Sequence, residues 1–519
     1  MIMRSKSEKM DLVNKVVQSL EKLPFLHLAL ISLVSFIIIF YKCLYNTTTT
    51  TRKPKLPSPR KLPIIGNLHQ LGRLPHRSLR SLSERYGDLM LLHLGTKPTL
   101  VVSSANGAEE IMKTHDTVFA NRPYSKIASL IVKDGKDIAF GKYGEHWRKI
   151  KSICVLHMLS NKKVRSFRKI REEEVEVMIE NVKKSTPNRN APLNLSDSFI
   201  KMSSDVVLRV SFGKKYGEEN NVGVLFSKFI EVLGSFSIGI FIPWLSWVDE
   251  FSGVLFKARK VARSLNSFFE NRIVERIHGF DYDVINQGDN KTQDFVDVLL
   301  EIQSCDSSID IETVKAVLMN MVAAGIETTA TVLEWTMSEL LMDPLVMKRL
   351  QEEVRGFLRD KTVIDEDDLK DMMYLKAVIK ESLRLHPPLP FLLFREASQD
   401  HVRVQNYDIR AGTLVIINAW AIQRHPSYWE EPEEFRPERF LNYSGHDFEF
   451  IPFGAGRRGC PGIAFANVEA ELALANLVGQ FNWELPNEVN LDSFMAESFG
   501  TSLRRRDPLM AIPTPFSNY

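Results

Sequence analysis

The chain has 519 residues, 44% of them hydrophobic and 25% charged, with a formal net charge of +3. This composition is that of a folded protein and excludes a disordered chain, while so small a net charge does not indicate a nucleic-acid binder. The cysteines are few and scattered, so neither a disulfide framework nor a zinc knuckle is indicated at Cys43, Cys154, Cys305 and Cys460.

The first hydrophobic segment lies between Lys22 and Lys42, where 19 uncharged residues are mostly Leu, Ile, Val and Phe. A helix of that length spans about 28 Å, close to the hydrocarbon thickness of a bilayer. A signal peptide is the alternative, but the run is long for one and no A-x-A-like cleavage site follows it. We therefore expect an N-terminal extension over residues 1–22, with Met3 or Met10 as alternative starts, and a transmembrane anchor over residues 23–41.

The charges beside this segment predict its orientation. The residues that follow it are basic with no acidic one among them: Arg52, Lys53, Lys55, Arg60 and Lys61. By the positive-inside rule, the bulk of the chain then faces the cytosol. Four N-x-[ST] sequons begin at Asn46, Asn194, Asn290 and Asn442, and we expect none of them to be glycosylated.

Residues 42–63 form a basic, proline-rich hinge, with prolines at Pro54, Pro57, Pro59 and Pro63. Proline fixes φ and favours extended backbone, so this stretch is expected to be a stiff spacer. Residues 64–519 have the patterning of a helix-rich globular protein. Short strands are predicted near Leu89–Leu94, Thr99–Val102 and Thr413–Asn418.

Trp147 to Lys151 reads W-R-K-I-K, which on its own predicts a helix with a basic, solvated face. Farther along, Asp310 to Met342 reads as one long buried helix that ends at Asp343-Pro344. The middle of that helix reads A-A-G-I-E-T-T. Its ordinary interpretation is a threonine bonded to the carbonyl four residues earlier, with the glycine in a packing position.

Glu381 and Arg384 form an E-x-x-R pair on the next predicted helix. A Glu–Arg pair three residues apart is ordinarily a solvated surface pair that contributes a few tenths of a kcal/mol. A structural role would need the pair to be buried.

The segment from Phe450 to Gly462 reads F-I-P-F-G-A-G-R-R-G-C-P-G. A metal-binding thiolate needs a sharp loop, backbone N–H groups aimed at the sulfur, and nearby positive charge. The glycines and the Arg457-Arg458 pair supply these features around Cys460. The same glycines spell G-x-G-x-x-G, but Pro452 interrupts the strand that a dinucleotide fold requires, and too little chain follows for further parallel strands.

These segments together resemble the cytochrome P450 family, whose cysteine loop follows F-x-x-G-x-R-x-C-x-G. Phe453, Gly456, Arg458, Cys460 and Gly462 fall on that pattern. The resemblance runs from Leu62 to near the C-terminus and implies one catalytic domain over residues 64–519, mainly α-helical with small β-sheets. The proline hinge and the F-R-P-E-R-F segment are similar to the plant microsomal group, and most similar to the large plant family seventy-one that oxidises specialised metabolites.

The resemblance also implies a role for each matched residue. Cys460 becomes the proximal ligand of haem b, Arg458 pairs with a haem propionate, and Phe453 packs beside the sulfur. The haem contacts extend to Trp147, Lys151 and Arg395, although the family more often has arginine at the position of Lys151. Glu327 and Thr328 match the oxygen-activating pair, and Gly325 lets the helix pass close to a flat cofactor.

Two further sets of residues follow from the same resemblance. Glu381 and Arg384 become a buried structural pair joined by Arg439, with Arg436 as the alternative. The substrate pocket is expected at Ile138, Ala324, Leu389, Leu393, Phe394 and Phe499. Phe394 stands where many relatives have proline, so the pocket wall is expected to differ there. Because these side chains are mostly apolar, the expected substrate is a terpenoid, alkaloid or phenylpropanoid-type compound.

The implied activity is the insertion of one oxygen atom of O2 into that substrate, at the endoplasmic reticulum membrane. Electrons come from NADPH through cytochrome P450 reductase, with cytochrome b5 as a further donor. The reductase is expected to dock on a basic face around Lys142, Arg148, Lys149 and Arg457. Two rival functions remain: a haem-thiolate isomerase or dehydratase that needs no reductase, and a haem protein that senses or carries without catalysis.

Overall fold

The structure is a computed structural model that describes residues 28, 30–37, 56–132, 135–185, 191–216, 222–235, 237–283, 293–358, 361–445, 448–487 and 489–516. Leu28 and residues 30–37 are helical with exposed side chains. The rest of the anchor predicted over residues 23–41 lies outside the described residues, as do the extension 1–22 and the sequons at Asn46 and Asn290. A separate compact unit begins at Leu56.

The described helices of this unit are mostly long, and several short 3₁₀ and π turns connect them. In chain order they are α1 Pro75–Tyr86, α2 Ala105–Glu109, α3 Asp116–Phe119, α4 Lys126–Ile131, α5 Glu145–Ile153, α6 Asn161–Ser166, α7 Arg168–Ser185, α8 Leu195–Phe212, α9 Val222–Leu233, α10 Ile238–Phe241, α11 Val248–Phe251, α12 Val254–Asp283, α13 Phe295–Cys305, α14 Ile311–Met342, α15 Pro344–Phe357, α16 Met373–Leu385, α17 Ala419–Ile422, α18 Ile463–Gln480 and α19 Leu491–Phe494.

The described strands are short and form small sheets. They are β1 Leu89–Leu94, β2 Lys97–Val102, β3 Leu193–Asn194, β4 Arg395–Glu396, β5 Val402–Val404, β6 Tyr407–Ile409, β7 Leu414–Ile417, β8 Phe481–Glu484, β9 Glu497–Phe499, β10 Leu503–Arg505 and β11 Met510–Pro515. The largest sheet has the order β1-β2-β7-β4, in which β2 and β7 are parallel. The three strands predicted from sequence are confirmed as β1, β2 and β7, with shifts of at most two residues at their ends.

Helix α14 runs through the core and matches the predicted long helix. Asp310 caps its first turn, because the carboxylate accepts a 2.8 Å hydrogen bond from the Thr313 N–H. Every residue from Thr313 to Ser338 is buried except Ala324, Gly325 and Thr328. Those exceptions mark the point where the helix passes a cavity.

Gly325 allows α14 to approach a neighbouring helix. A Cβ atom at Gly325 would lie 2.7 Å from the Val207 side chain of α8. Gly325 therefore allows close packing against Val207. The family resemblance predicts instead that this glycine allows the helix to pass close to a flat cofactor.

Two described stretches are long and apolar enough to cross a membrane by length and composition alone: Gly223–Phe241 and Ile311–Met342. The second is α14, and 83% of its most apolar window is buried in the protein. It is therefore a core helix, since a membrane-spanning helix would expose that surface to lipid.

The described end of the proline hinge packs against the globular body. Leu91 donates a backbone hydrogen bond of 2.9 Å to Pro57, and the Asn67 side chain donates one of 3.2 Å to the Arg60 carbonyl. Residues from Leu56 onward are thus held by β1 and the turn before α1, and they belong structurally to the body.

Candidate functional site

The cysteine loop owes its shape to a glycine with backbone angles that other residues avoid. Gly456 has φ +68°, and a Cβ atom there would lie 2.1 Å from the Met112 carbonyl oxygen. The loop closes through a 2.9 Å hydrogen bond from the Cys460 N–H to the Phe453 carbonyl. The Gly462 N–H then donates to the Cys460 sulfur at 3.4 Å. A backbone donor therefore points at the sulfur, as a thiolate ligand requires.

Opposing effects act on the Cys460 thiol. Burial raises its pKa, while the Gly462 N–H and the Lys151 ammonium lower it. Lys151 is held in place by a 2.7 Å hydrogen bond to the Gly459 carbonyl. The sulfur also lies just before the first turn of α18, whose positive dipole end favours an anion. In this surrounding a bound cation would convert the thiol fully to thiolate.

A cavity of about 320 Å³ separates the cysteine loop from α14. Cys460, Thr328 and Glu327 all line it, as do the expected pocket residues Ile138, Ala324, Leu389 and Leu393. Cys460 and Ala324 retain solvent-accessible surface because they face this cavity. The loop sulfur and the oxygen-activating pair predicted from sequence therefore line the same cavity.

Phe394 and Phe499, which were also expected in the pocket, do not line this cavity. They surround Phe391 instead, with ring centroids 6.3 and 5.7 Å from it, and pack against the core beside β1 and β2. The aromatic group forms a layer behind the cavity wall. The difference that the family resemblance predicts at Phe394 would therefore fall in that supporting layer.

Positively charged side chains outnumber carboxylates at one end of the cavity. Arg122 and Arg395 are buried there, Lys151 and Arg458 are half-buried, and the carboxylates near them are those of Asp116 and Asp137. Asp116 also pairs with Arg457, so positive charge is in excess at this end. Burial, and after it the neighbouring Arg395 charge, lowers the pKa of Arg458 to about 10.

Arg458 occupies the centre of this group. Its guanidinium donates to the carbonyls of Ala120 at 2.7 Å and Ile138 at 3.1 Å, and it lies 4.2 Å from the Trp147 ring centroid. Trp147 donates to the same Ile138 carbonyl at 3.0 Å. Arg458, Trp147 and the loop carbonyls therefore form one rigid arrangement.

Arg122 was missed in the sequence because its partners are distant along the chain. It donates to the Ala139 carbonyl at 2.9 Å and to the Leu393 carbonyl at 2.6 Å. Arg395 donates to the Ala455 carbonyl at 3.2 Å and lies 3.5 Å from Asp116. That ion pair is made by the Nη1 atom of Arg395, which has no closer hydrogen-bond partner among the residues that the structure describes.

These residues fit a haem. The Cys460 thiol, with its backbone donor, would hold the iron, and the excess of positive charge suits the two propionates of haem b. The apolar wall and α14 line the rest of the cavity. The propionate side would be surrounded by Arg458, Arg395, Arg122, Trp147 and Lys151.

The opposite wall carries the acid and the hydroxyl. Thr328 donates a 2.7 Å hydrogen bond to the Ala324 carbonyl, the bond that an ordinary mid-helix threonine makes. Glu327 is buried, accepts a 2.6 Å hydrogen bond from the Ser502 hydroxyl, and forms an ion pair with Arg504. The segment around β10 thus fixes the position of the Glu327 carboxylate.

Comparison with known proteins decides the family. The cytochrome P450 family model matches residues 56–510. The chain is a cytochrome P450. Its relatives include cytochrome P450 71A26 of Arabidopsis thaliana, which is 48% identical, with the match covering 94% of this chain and 98% of that protein. The expected likeness to the plant family seventy-one is therefore confirmed, and with it a haem-thiolate monooxygenase.

Two other relatives of this P450 have names that describe reactions. Norfluorocurarine oxidase from a Strychnos species is 46% identical, with the match covering 93% of this chain and 96% of that protein. A 3-beta-hydroxylase from Tanacetum parthenium is 45% identical over 93% of this chain and 98% of that protein. A solved structure of a zebrafish cytochrome P450 with abiraterone is 25% identical, has a TM-score of 0.73, and matches 86% of this chain and 100% of that chain. The predicted mainly α-helical P450 fold is confirmed.

The E-x-x-R pair of this P450 is fully buried. Arg384 donates to both carboxylate oxygens of Glu381, at 2.7 and 2.8 Å, and its remaining N–H groups reach the carbonyls of Gln423, Pro432 and Glu434. The side chain of Arg439 donates to Glu381 at 3.3 Å. Arg436 contacts Glu381 through its backbone N–H at 2.8 Å, while its side chain pairs with Glu431.

The basic residues expected to contact the reductase lie on the cysteine side of the P450 and differ in their pairing. Lys142 and Arg148 are exposed, and Arg148 lies 5.7 Å from the Tyr143 ring. Lys149 already forms an ion pair with Asp306, and Arg457 pairs with Asp116 at 3.1 Å. Lys142 and Arg148 are therefore the more accessible of the four.

Proposed function

We propose that this P450 inserts one oxygen atom of O2 into a small lipophilic plant specialised metabolite, through hydroxylation or a related oxidation. One observation carries the proposal: Cys460 and the Glu327–Thr328 pair face the same apolar cavity from opposite walls. Bound haem would supply the activation of dioxygen, for which it needs two electrons and protons. The chain's own residues hold the haem, exclude water and supply protons.

The proposed roles follow from position. Cys460 would hold the haem iron, and Phe453, Gly456 and Gly462 shape the loop that presents its sulfur. Glu327 and Thr328 are the proton-handling residues of the opposite wall. Glu327 is suited to this because it lines the cavity beside Thr328 and Ser502 holds its carboxylate in a fixed position.

The residues that form the cavity wall support a lipophilic substrate. Ile138, Ala324, Leu389 and Leu393 present apolar surface, which selects lipophilic molecules. Two relatives named as an oxidase and a 3-beta-hydroxylase support a reaction that oxidises an organic substrate. A terpenoid, alkaloid or phenylpropanoid-type skeleton fits these constraints.

We further propose NADPH–cytochrome P450 reductase as the electron donor, with cytochrome b5 as an additional one. Lys142 and Arg148 are exposed on the cysteine side, where a donor must approach to reach the haem. Complementary charge would orient an acidic partner there and increase its association rate.

The proposed location is the endoplasmic reticulum membrane, with an anchor over residues 23–41 and the domain 64–519 in the cytosol. An exposed aromatic patch on the body supports membrane contact. Trp244, Trp247, Phe251 and Phe256 are each more than half exposed, at 59, 57, 83 and 62%. Isolated exposed aromatics are ordinary, but a cluster of this kind marks an interaction surface. Trp and other aromatics are favoured at the membrane interface.

The patch continues onto the start of the domain. Leu62 and Ile64 are about half exposed, and the Gly66 turn beside them approaches Gly95, which in turn meets Phe241. These backbone contacts bring the segment around Leu62 and Ile64 close to the segment that ends at Phe241, three residues before Trp244. Such a patch can dip into the headgroup region while the anchor spans the bilayer.

The test is the reduced, carbon-monoxide-bound difference spectrum of the chain in yeast microsomes. We expect a strongly red-shifted Soret band, its loss in Cys460→Ala, and its retention in Cys305→Ser, because Cys305 is exposed and far along the chain from the loop. Product formation should then require both NADPH and the reductase. A histidine-type band in folded protein would refute the thiolate assignment, and turnover without NADPH would favour an isomerase or dehydratase.

A further inference from the structure

Asn320 is a polar side chain in the apolar wall of the cavity. It lies on α14, eight residues before Thr328, lines the cavity, and is only 7% exposed. A buried amide must satisfy its hydrogen-bonding groups or destabilise the fold. Its partners therefore show what remains available to a ligand.

The oxygen of this amide is fully used by the protein. Oδ1 accepts hydrogen bonds from the backbone N–H groups of Ile138 and Ala139, each at 3.1 Å. An amide oxygen has two lone pairs, so these donors saturate it and fix which way the side chain points. The NH2 group of Asn320 must then point away from the backbone N–H groups of Ile138 and Ala139.

The NH2 group is only half used. It interacts with the Asp137 carboxylate and lowers the pKa that burial raises for this group. An amide NH2 has two hydrogens, and no described residue accepts the second one. Because Asn320 lines the cavity, a ligand there is the available partner.

Neighbouring hydroxyls on this wall have their donors engaged. Thr328 donates to the Ala324 carbonyl, and Ser502 donates to Glu327. Thr501 donates to the Ile230 carbonyl at 3.0 Å. Asn320 thus differs from these three residues in retaining an N–H for a ligand.

We infer that Asn320 is a specificity-determining residue that donates a hydrogen bond to a neutral oxygen of the substrate. This rests on the proposed function and refines it: the preferred substrate is a lipophile that already carries a keto, ether or hydroxyl oxygen. The carboxylates of Asp137, which bonds Asn320, and of Glu327, which lines the cavity, disfavour an anionic group. A pure hydrocarbon would leave the Asn320 N–H without a partner.

The experiment compares ligands that differ only in one oxygen. Dissociation constants of trans-1-decalone, trans-2-decalone and trans-decalin are measured on the full-length, haem-loaded protein, from ligand-induced absorbance changes and from melting-temperature shifts. The ratio of the ketone constant to the decalin constant isolates the hydrogen bond, since general loosening of the cavity weakens both ligands. Melting shifts need no turnover, so this readout is independent of the proposed activity.

Two variants alter the donor. Asn320→Leu removes it, and Asn320→Asp keeps acceptors for Ile138 and Ala139 while replacing the donor with an acceptor. We expect the ratio for at least one ketone to shift toward the hydrocarbon by about fivefold in both, the effect of one hydrogen bond. Thr329→Val, which removes a hydroxyl from the same wall, is the matched control and should leave the ratio unchanged.

An unchanged ratio in the Asn320 variants would overturn the inference, and so would an equal shift in Thr329→Val. The two failures remain distinguishable from failure of the proposed function. A missing thiolate band or missing NADPH-dependent product would refute the function, whereas the ligand ratio refutes only the role of Asn320. If Asn320→Leu does not fold, Asn320→Asp still decides the question.

Discussion

Ser502 donates a 2.6 Å hydrogen bond to the Glu327 carboxylate, which also forms an ion pair with Arg504. The acid of the long helix is therefore positioned by a hydroxyl that lies 175 places later in the chain. Arg504 is partly exposed, so it lies between the buried carboxylate and solvent. The orientation of the Glu327 carboxylate therefore depends on this segment.

Arg504→Gln should reduce the amount of product formed per NADPH consumed. The loss of the partner charge leaves Glu327 held by Ser502 alone, and a charge pair of this exposure contributes about 1 kcal/mol, or about fivefold. Product and NADPH consumption are measured together with the carbon-monoxide spectrum. Arg506→Gln is the control, because Arg506 is exposed and its ion pair is with its exposed neighbour Asp507. Equal coupling in both variants would contradict the role assigned to Arg504.

Arg384→Ala should prevent stable folding. It leaves the fully buried Glu381 carboxylate without its main partner, and breaking a buried pair in this way costs about 3–5 kcal/mol. The yield of correctly folded P450 and its denaturant midpoint report the loss. Arg436→Ala should be far milder, since its side chain forms an exposed pair with Glu431. A comparable loss of stability in both variants would show that the buried Glu381–Arg384 pair is not what stabilises the fold.

Gly456→Ala should abolish the spectrum of thiolate-bound haem. The new Cβ would meet the Met112 carbonyl at 2.1 Å, and the residue would retain φ +68°. Gly412→Ala is the matched control, because Gly412 has φ +75° but a Cβ there would have no non-neighbouring atom within 4 Å. The control should cost only about 1 kcal/mol, the penalty of the backbone angle. The difference in haem content between the variants measures the steric effect alone.

The buried Glu469 carboxyl group is expected to make the stability of the native state depend on pH. Burial raises its pKa to about 8 from 4.5, while the charge of Arg171 opposes the shift. The native state then holds one more proton than the unfolded state between these values. This group therefore favours the native state fully below pH 4.5, and that contribution is lost as pH rises toward 8.

Glu469→Gln should remove that pH dependence. The difference in melting temperature between the variant and the wild type should grow in favour of the variant from about pH 5 to about pH 8, since each pKa unit corresponds to about 1.4 kcal/mol. Glu484→Gln on β8 is a control at an exposed glutamate. A constant difference across this pH range would show that Glu469 does not retain its proton in the native state.

The orientation of the chain can be tested through its sequons. We expect no glycosidase-sensitive gel shift at Asn46, Asn194, Asn290 or Asn442, because all four are predicted to face the cytosol. Asn194 has a separate structural use, since its side chain caps α8 by accepting the Asp197 N–H at 3.2 Å. A sequon placed before Met1 is the positive control and should be glycosylated. Glycosylation at any native site would reverse the proposed orientation.

Local patterns predicted the parts of the site that depend on neighbours in sequence. The turn at Cys460 requires glycine at fixed spacing, and α14 shows its period and its Asp310 cap directly in the residues. The E-x-x-R pair was recognisable because Glu381 and Arg384 lie one turn apart. Its burial could not be derived from spacing alone and came from the family resemblance.

Contacts between distant segments could not be predicted in the same way. Arg122 bonds the Leu393 carbonyl, and Arg504 reaches Glu327, through pairings that only the fold creates. Phe394 and Phe499 have the composition of pocket residues but are directed into the layer around Phe391. An apolar side chain is compatible with either position, so composition cannot separate a cavity wall from the core behind it.

The segment from Asp137 to Gly141 takes part in hydrogen bonds on both of its sides. Its N–H groups bond Asn320 on the long helix, and its carbonyls bond Trp147 and Arg458 beside the cysteine loop. This short backbone segment therefore contacts both the residue proposed to bind the substrate, Asn320, and residues proposed to surround the haem, Trp147 and Arg458. By thermodynamic reciprocity, if haem tightens the binding of a molecule that contacts Ile138 and its neighbours from the cavity, that molecule must tighten the binding of haem by the same factor.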